Sequence, residues 1–122
     1  VRIPIEVDGS PGVPEVLANV ADLDPTTPGP LFLDGIALDV HGSVYVPVIT
    51  QSRVIKIAPD GSTVETLATM SDGLDFPASL AFGSGKGERQ SLFVTNYAIG
   101  PPGGDGPGLL KIDAGQPGMP LP

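Results

Sequence analysis

The sequence has no cysteine and no tryptophan, and lysine and arginine together number only six among its 122 residues. Without cysteine there are no disulfides and no thiolate metal ligands, which leaves the redox compartment open. The six cations are scattered, and fourteen acidic residues bring the net charge to −8. Such a surface repels a phosphate backbone, so nucleic acid is not an expected partner. A single histidine, His41, sits in turn-forming sequence with no partner spacing for a metal cluster or a nucleophilic triad, and reads as an exposed turn residue. No apolar run approaches the roughly 18 residues of a membrane helix, and there is no signal-peptide pattern, so no membrane partner is expected. No amphipathic helix of three turns is evident either.

What the chain does have is glycine and proline, together more than a quarter of it, and 40% hydrophobic residues. Disorder throughout is therefore not expected. The glycines and prolines fall between short apolar runs, where turns belong. The length suits one domain or part of a larger one.

The runs repeat. Val1-Arg2-Ile3 returns as Ile55-Lys56-Ile57 and Leu110-Lys111-Ile112, at spacings of 54 and 55 residues. Glu15–Val20 returns as Glu65–Met70, Ile36–Leu38 as Leu80–Phe82, and Ser43–Val46 as Ser91–Val94. Each match keeps its order in a unit of about fifty residues. The runs are rich in Val, Ile, Leu, Phe and Tyr and are bounded by Gly, Pro or Asp, which is strand chemistry.

In the complete middle unit, residues 33–70, four strands are expected: a over Gly35–Asp39, b over Ser43–Ile49, c over Arg53–Ala58 and d over Thr63–Met70. His41-Gly42 and Pro59-Asp60-Gly61 supply the tight turns. Repeated four-stranded meanders of this period mark a β-propeller. A two-sheet sandwich is the alternative, but it does not account for the repeat. The fold class is thus all-β, a propeller fragment of about two and a half blades. Residues 1–22 are the outer strands of one blade, 33–70 a complete blade, and 77–122 a final blade with a long loop at 96–107 and a short last strand at Met119–Pro122. The innermost strands, nearly free of polar residues, are expected to be covered on both faces.

Propellers close with four to eight blades. Because Val1 opens inside an apolar alternation, a longer or processed parent is expected. The other blades would lie upstream or in another chain.

A meander sends its b–c and d–a connections to one face, and here these are the long ones. Long loops on a rigid scaffold commonly carry function. Asp34 stands where a d–a loop enters strand a, at the central channel. An Asp-Gly pair before an apolar run is first of all a turn former. The next unit, however, has Ala78 in that place, so the acid is not a requirement of the repeat. Asn96, at the start of the long loop, is a candidate pocket-lining, substrate-binding residue, and Ser79 a small residue fitted at the crowded centre. Asp39 and Asp60 read as turn formers on the opposite face. The glycine-rich stretch Ala98–Gly108 lacks phosphate-loop spacing and reads as a mobile lid. Asp22–Pro30 lacks the Gly and Glu of an EF-hand and reads as an extended loop.

The segments LDGIALD, HGSVYV, RVIKIAPDG, FPASLAFG and SLFVTNY resemble the C-terminal blades of the regucalcin/gluconolactonase (senescence marker protein) propellers. Parts of the pattern are shared by NHL and strictosidine-synthase-like propellers. The resemblance covers about Leu33 to Ile112 and implies a six-bladed parent. It also implies a metal-dependent hydrolase of sugar lactones or similar esters acting on a small molecule. In that family the Asp of a Pro-Asp-Gly motif binds a divalent metal in the channel and is a candidate general base. By position this carries over to Asp34, making it the expected catalytic and metal-ligating residue, with Ca2+ the leading metal. The family's Glu and Asn ligands, and its substrate-binding Arg and Asn, belong to earlier blades and have no counterpart here. Two departures stand out: Leu33 in place of the motif's Pro, and Val46-Pro47 where Val-Ala is commoner. A non-catalytic binding propeller is the alternative function, and the compartment is left open.

Overall fold

The computed structural model describes residues 1–24, 29–99 and 106–120. The middles of the Asp22–Pro30 and Ala98–Gly108 loops, and the last two residues, lie outside them.

Two antiparallel meanders form the body. The first runs β1 (Ala37–Leu38), β2 (Val44–Val48), β3 (Arg53–Ile57) and β4 (Val64–Ala68), hydrogen-bonded in that order. The second runs β5 (Pro77–Phe82), β6 (Ser91–Asn96) and β7 (Gly108–Asp113). β-Branched residues at alternate positions of β2 and β3 give the first sheet two apolar faces. One face carries Tyr45 and Val54, which meet Leu80, Leu92 and Val94 of the second sheet around Leu74. Tyr45 meets Phe82 edge to face at 5.1 Å. The other face carries Val46, Val48, Ile55 and Ile57, covered by Val20, Ala18 and Leu31. This second cover comes from the segment before the sheet.

The strands of the complete blade fall where the repeat puts them, apart from the innermost, whose regular ladder is only two residues long. Three other expectations are corrected. Residues 1–22 do not form two regular outer strands. They make a loose hairpin held at Arg2–Glu15 and Ile5–Pro11, followed by one helical turn, α1 (Val20–Leu23). Pro4, Pro11 and Pro14 remove backbone donors there, and no described strand pairs with the hairpin on its other side. Secondly, it is β2 and β3 that are covered on both faces. The inner strand leaves Ile36 63% and Leu38 37% exposed.

The third correction concerns the C-terminus, which adds no fourth strand beyond β7 among the described residues. The chain reverses at Gly115 and runs inward, with Gly118 N–H on Arg89 O (2.8 Å) and Met119 N–H on Leu38 O (2.8 Å). It thereby bridges Gly118 to Asp39 along the free edge of β1. A Cβ on Gly118 would overlap the Phe82 side chain, so the backbone passes close against it.

Candidate functional site

Asp34 lies in a bulge at the entry to the inner strand. Leu33 faces Val48 and Ala37 faces Tyr45, so four steps along the inner strand answer three along β2. The second sheet repeats the device: Pro77 faces Asn96 and Ser79 faces Thr95, two steps against one. The extra residue lies in the 34–36 stretch in the first sheet and is Ala78 in the second. A bulge leaves one residue out of the ladder and re-aims its side chain. Asp34 donates its backbone N–H to Pro47 O at 3.4 Å, and its side chain is exposed. No hydrogen bond to its carboxylate is found among the described residues.

Beside Asp34 opens a hollow of about 550 Å3 between residues 1–20 and β1–β2. Its walls are aliphatic, with Leu17, Val20, Leu33, Ile36, Leu38 and Val44 among them, and its charged lining residues are Arg2 and Asp34.

Asn96 is placed differently from Asp34. Its side chain is buried, and its Oδ1 accepts from Asp75 N–H at 3.1 Å. Its Nδ2 donates to Gly73 O at 2.8 Å and to Gly106 O at 3.2 Å. The amide thus ties the end of β6 to the d–a loop and to the segment just before β7. Ser52 makes a similar tie, its Oγ accepting from Phe76 N–H at 3.2 Å. The structure does not bring Asn96 and Asp34 into one described pocket.

On the opposite face Asp39 and Asp60 form the expected turns. Asp60 Oδ1 accepts from the backbone and hydroxyl of Ser62. Asp39 goes further than a turn former needs to. It is fully buried, its Oδ1 accepts from His41 and Ser43 N–H at 2.9 Å each, and its Oδ2 accepts from Tyr45 Oη at 3.1 Å. Lys56 Nζ stands 3.8 Å away. Burial alone pushes this carboxyl up, but the Ser43, His41 and Tyr45 hydrogen bonds outweigh it and hold it below the ordinary carboxylate range. Burial, then the Asp39 carboxylate, pushes the Tyr45 phenol up. Only the Asp-x-x-x-Ser-x-Tyr spacing across the hairpin hinted at this network. His41 is exposed, with Nε2 3.0 Å from Gln116 Oε1.

A carboxylate oxygen suits a hard cation, and Asp34 is free to offer one. Ca2+ takes about six to eight oxygens, however. Among the described residues no three His, Cys, Asp or Glu side chains gather to hold a metal. The residues described thus supply one corner of a cation shell and do not complete it.

Two meanders of one strand order, packed face to face and bulged at the same place, define a segment of a β-propeller. The chain belongs to the SMP-30/Gluconolactonase/LRE-like region family, whose model matches residues 5–98. A solved structure of luciferin-regenerating enzyme is similar in fold, with a TM-score of 0.71 at 19% identity. The match covers 96% of this chain and 38% of that one, so this chain spans well under half of that protein's length. Compared with curated proteins, the chain has no match.

Proposed function

We propose that this chain is the C-terminal part of a gluconolactonase-like hydrolase that opens a lactone or similar ester of a small molecule, with Asp34 in the reacting site. The observation that carries the reading is the bulge. Both inner strands have it, but only the first places an acid there, with its carboxylate exposed and unbonded among the described residues. Membership of the gluconolactonase-like family supports the choice of reaction class. In this reading Asp34 provides one oxygen ligand to a divalent cation, Ca2+ first, or accepts a proton from the attacking water. Such a cation, when bound, polarises the carbonyl and acidifies water. The backbone around Asp34 holds the carboxylate at the strand entry through the Pro47 hydrogen bond.

The test is lactone hydrolysis by the full-length protein, with and without a chelator, against Asp34→Ala. General acid–base roles of this kind are worth about a hundredfold or more. A loss of that size in both arms supports the proposal. Unchanged turnover in Asp34→Ala overturns it. No turnover in the wild type, on any lactone or ester offered, favours a binding propeller instead.

A further inference from the structure

We propose that the Gly83–Arg89 loop, together with the run Gly118–Pro120, binds a small organic anion, a carboxylate or phosphate head on an apolar body.

Charge singles the place out. The chain sets six lysines and arginines against fourteen acids. Arg2, Arg53, Lys56 and Lys111 each stand 2.7 to 3.8 Å from a carboxylate. Lys86 and Arg89 have no acidic partner among the described residues, and both line one hollow of about 570 Å3. A hollow of that order suits a small molecule. Its described lining residues include no acid, because Glu88 reaches Lys111 Nζ instead, at 2.7 Å. In a protein of net charge −8, these two cations make a local positive field that an anion relieves.

The backbone suits the same ligand. The loop joins β5 to β6 on the face opposite Asp34. It turns at Gly85–Glu88, closed by Glu88 N–H on Gly85 O at 3.0 Å, and Gly87 takes the positive φ of +82° at the turn's third position. The N–H groups of Ser84, Gly85, Lys86 and Gly87 find no acceptor among the described residues. Successive N–H groups left free in a turn attract an anion. Arg89 is held from the C-terminal side by Gly118 N–H, 2.8 Å from its carbonyl oxygen. An Arg fork takes a carboxylate or a phosphate through two parallel bonds, and a Lys adds a point charge. Phe82, Met119 and Pro120 give the hollow its apolar wall, which calls for a hydrophobic body behind the head.

Opening a lactone releases a hydroxy carboxylate, so the reaction proposed above produces one ligand of this class. The site does not rest on that reading, because Asp34 lies on the other face.

The full-length protein is titrated with benzoate, with phenyl phosphate and, as the uncharged match, with benzyl alcohol. Calorimetry gives the affinities, and NMR follows the amide resonances. Both anions should bind at least about tenfold more tightly than benzyl alcohol and should move the resonances of residues 84–87. Arg89→Gln, and separately Lys86→Gln, should weaken the anions about tenfold or more. Both side chains are exposed, so the melting temperature should not change. Arg2→Gln removes the same charge elsewhere and should leave the affinities as they are. Tighter benzoate assigns the head as a carboxylate, and tighter phenyl phosphate as a phosphate. Equal binding of benzyl alcohol overturns the proposal. So does equal weakening in Arg2→Gln, which would make the attraction general to the surface. Shifts around Asp34 in place of residues 84–87 would put the anion in the other hollow and overturn it as well.

Discussion

Gly35 and Ser79 touch across the two inner strands: a Cβ on Gly35 would lie 3.3 Å from the Ser79 hydroxyl oxygen and 3.6 Å from its Cα. The two inner strands approach closely here, and small residues on both sides allow it. Gly35→Ala should therefore cost about 1–3 kcal/mol, the usual range for an overpacked contact. Ser79→Gly should recover most of that in the double variant, because it removes the atom in the way. Thermal melts of the two single variants and the double variant check this. Additive losses would mean that the contact is not what limits residue 35.

The Asp39 network predicts a pH dependence. Its carboxyl is held below the ordinary value of about 4, so its contribution is fully present above that value and is lost as pH falls through the lower, folded one. Urea midpoints taken from pH 7 down to pH 2 should fall more steeply in the wild type than in Asp39→Asn. At pH 7, Tyr45→Phe should cost about 1 kcal/mol for its hydrogen bond. Asp39→Ala should cost more, about 2–4 kcal/mol, since it strands a buried hydroxyl and two N–H donors. Identical pH profiles for wild type and Asp39→Asn would remove Asp39 from the network.

The blade architecture was legible because it is written twice. Strands β2 to β4 lie within two residues of the runs that the repeat marks out, since alternation and turn residues are local signals. The bulge before β1 was not legible. The run Gly35–Asp39 reads as one regular strand entered directly from Asp34, and only pairing with Val48 and Tyr45 shows the extra residue. The inward course of the C-terminus was hidden for the same reason: its partners, Leu38 and Arg89, are far away in sequence. At the site, Asp34 could be picked out because it breaks the repeat. Asn96 carried no such mark, because its hydrogen bonds come from loops that no sequence pattern pairs with it. Asp39 was marked only as a turn former, and just the spacing to Ser43 and Tyr45 hinted at the rest of its network.

The Pro59-Asp60-Gly61 turn packs against the N-terminal segment at Leu17. Gly61 has φ +73°, and a Cβ there would overlap the Leu17 carbonyl. Gly61→Ala should therefore lose about 1 kcal/mol for the left-handed backbone and more for displacing Leu17. Gly42→Ala is the matched control. Its φ is +84°, but the nearest atom, Pro59 Cβ, is a comfortable 3.7 Å away, so only the backbone cost applies. Limited proteolysis should then cut residues 1–20 faster in Gly61→Ala than in Gly42→Ala. Equal cutting would mean that Leu17 is not pressed against the turn.

Asp34 and Asn96 should separate cleanly when stability and activity are measured together. Asp34 is exposed and its carboxylate has no hydrogen bond among the described residues, so Asp34→Asn should change stability by less than about 0.5 kcal/mol. Asn96→Ala removes three hydrogen bonds in a buried setting and should cost about 2–4 kcal/mol. If Asp34 holds a cation, added Ca2+ should raise the melting temperature of the full-length protein, and Asp34→Asn should abolish that rise. Its turnover should fall at an unchanged urea midpoint. For Asn96→Ala, the loss of turnover should instead follow the fraction unfolded. A calcium-dependent rise that survives in Asp34→Asn would place the cation elsewhere and leave Asp34 as a turn residue.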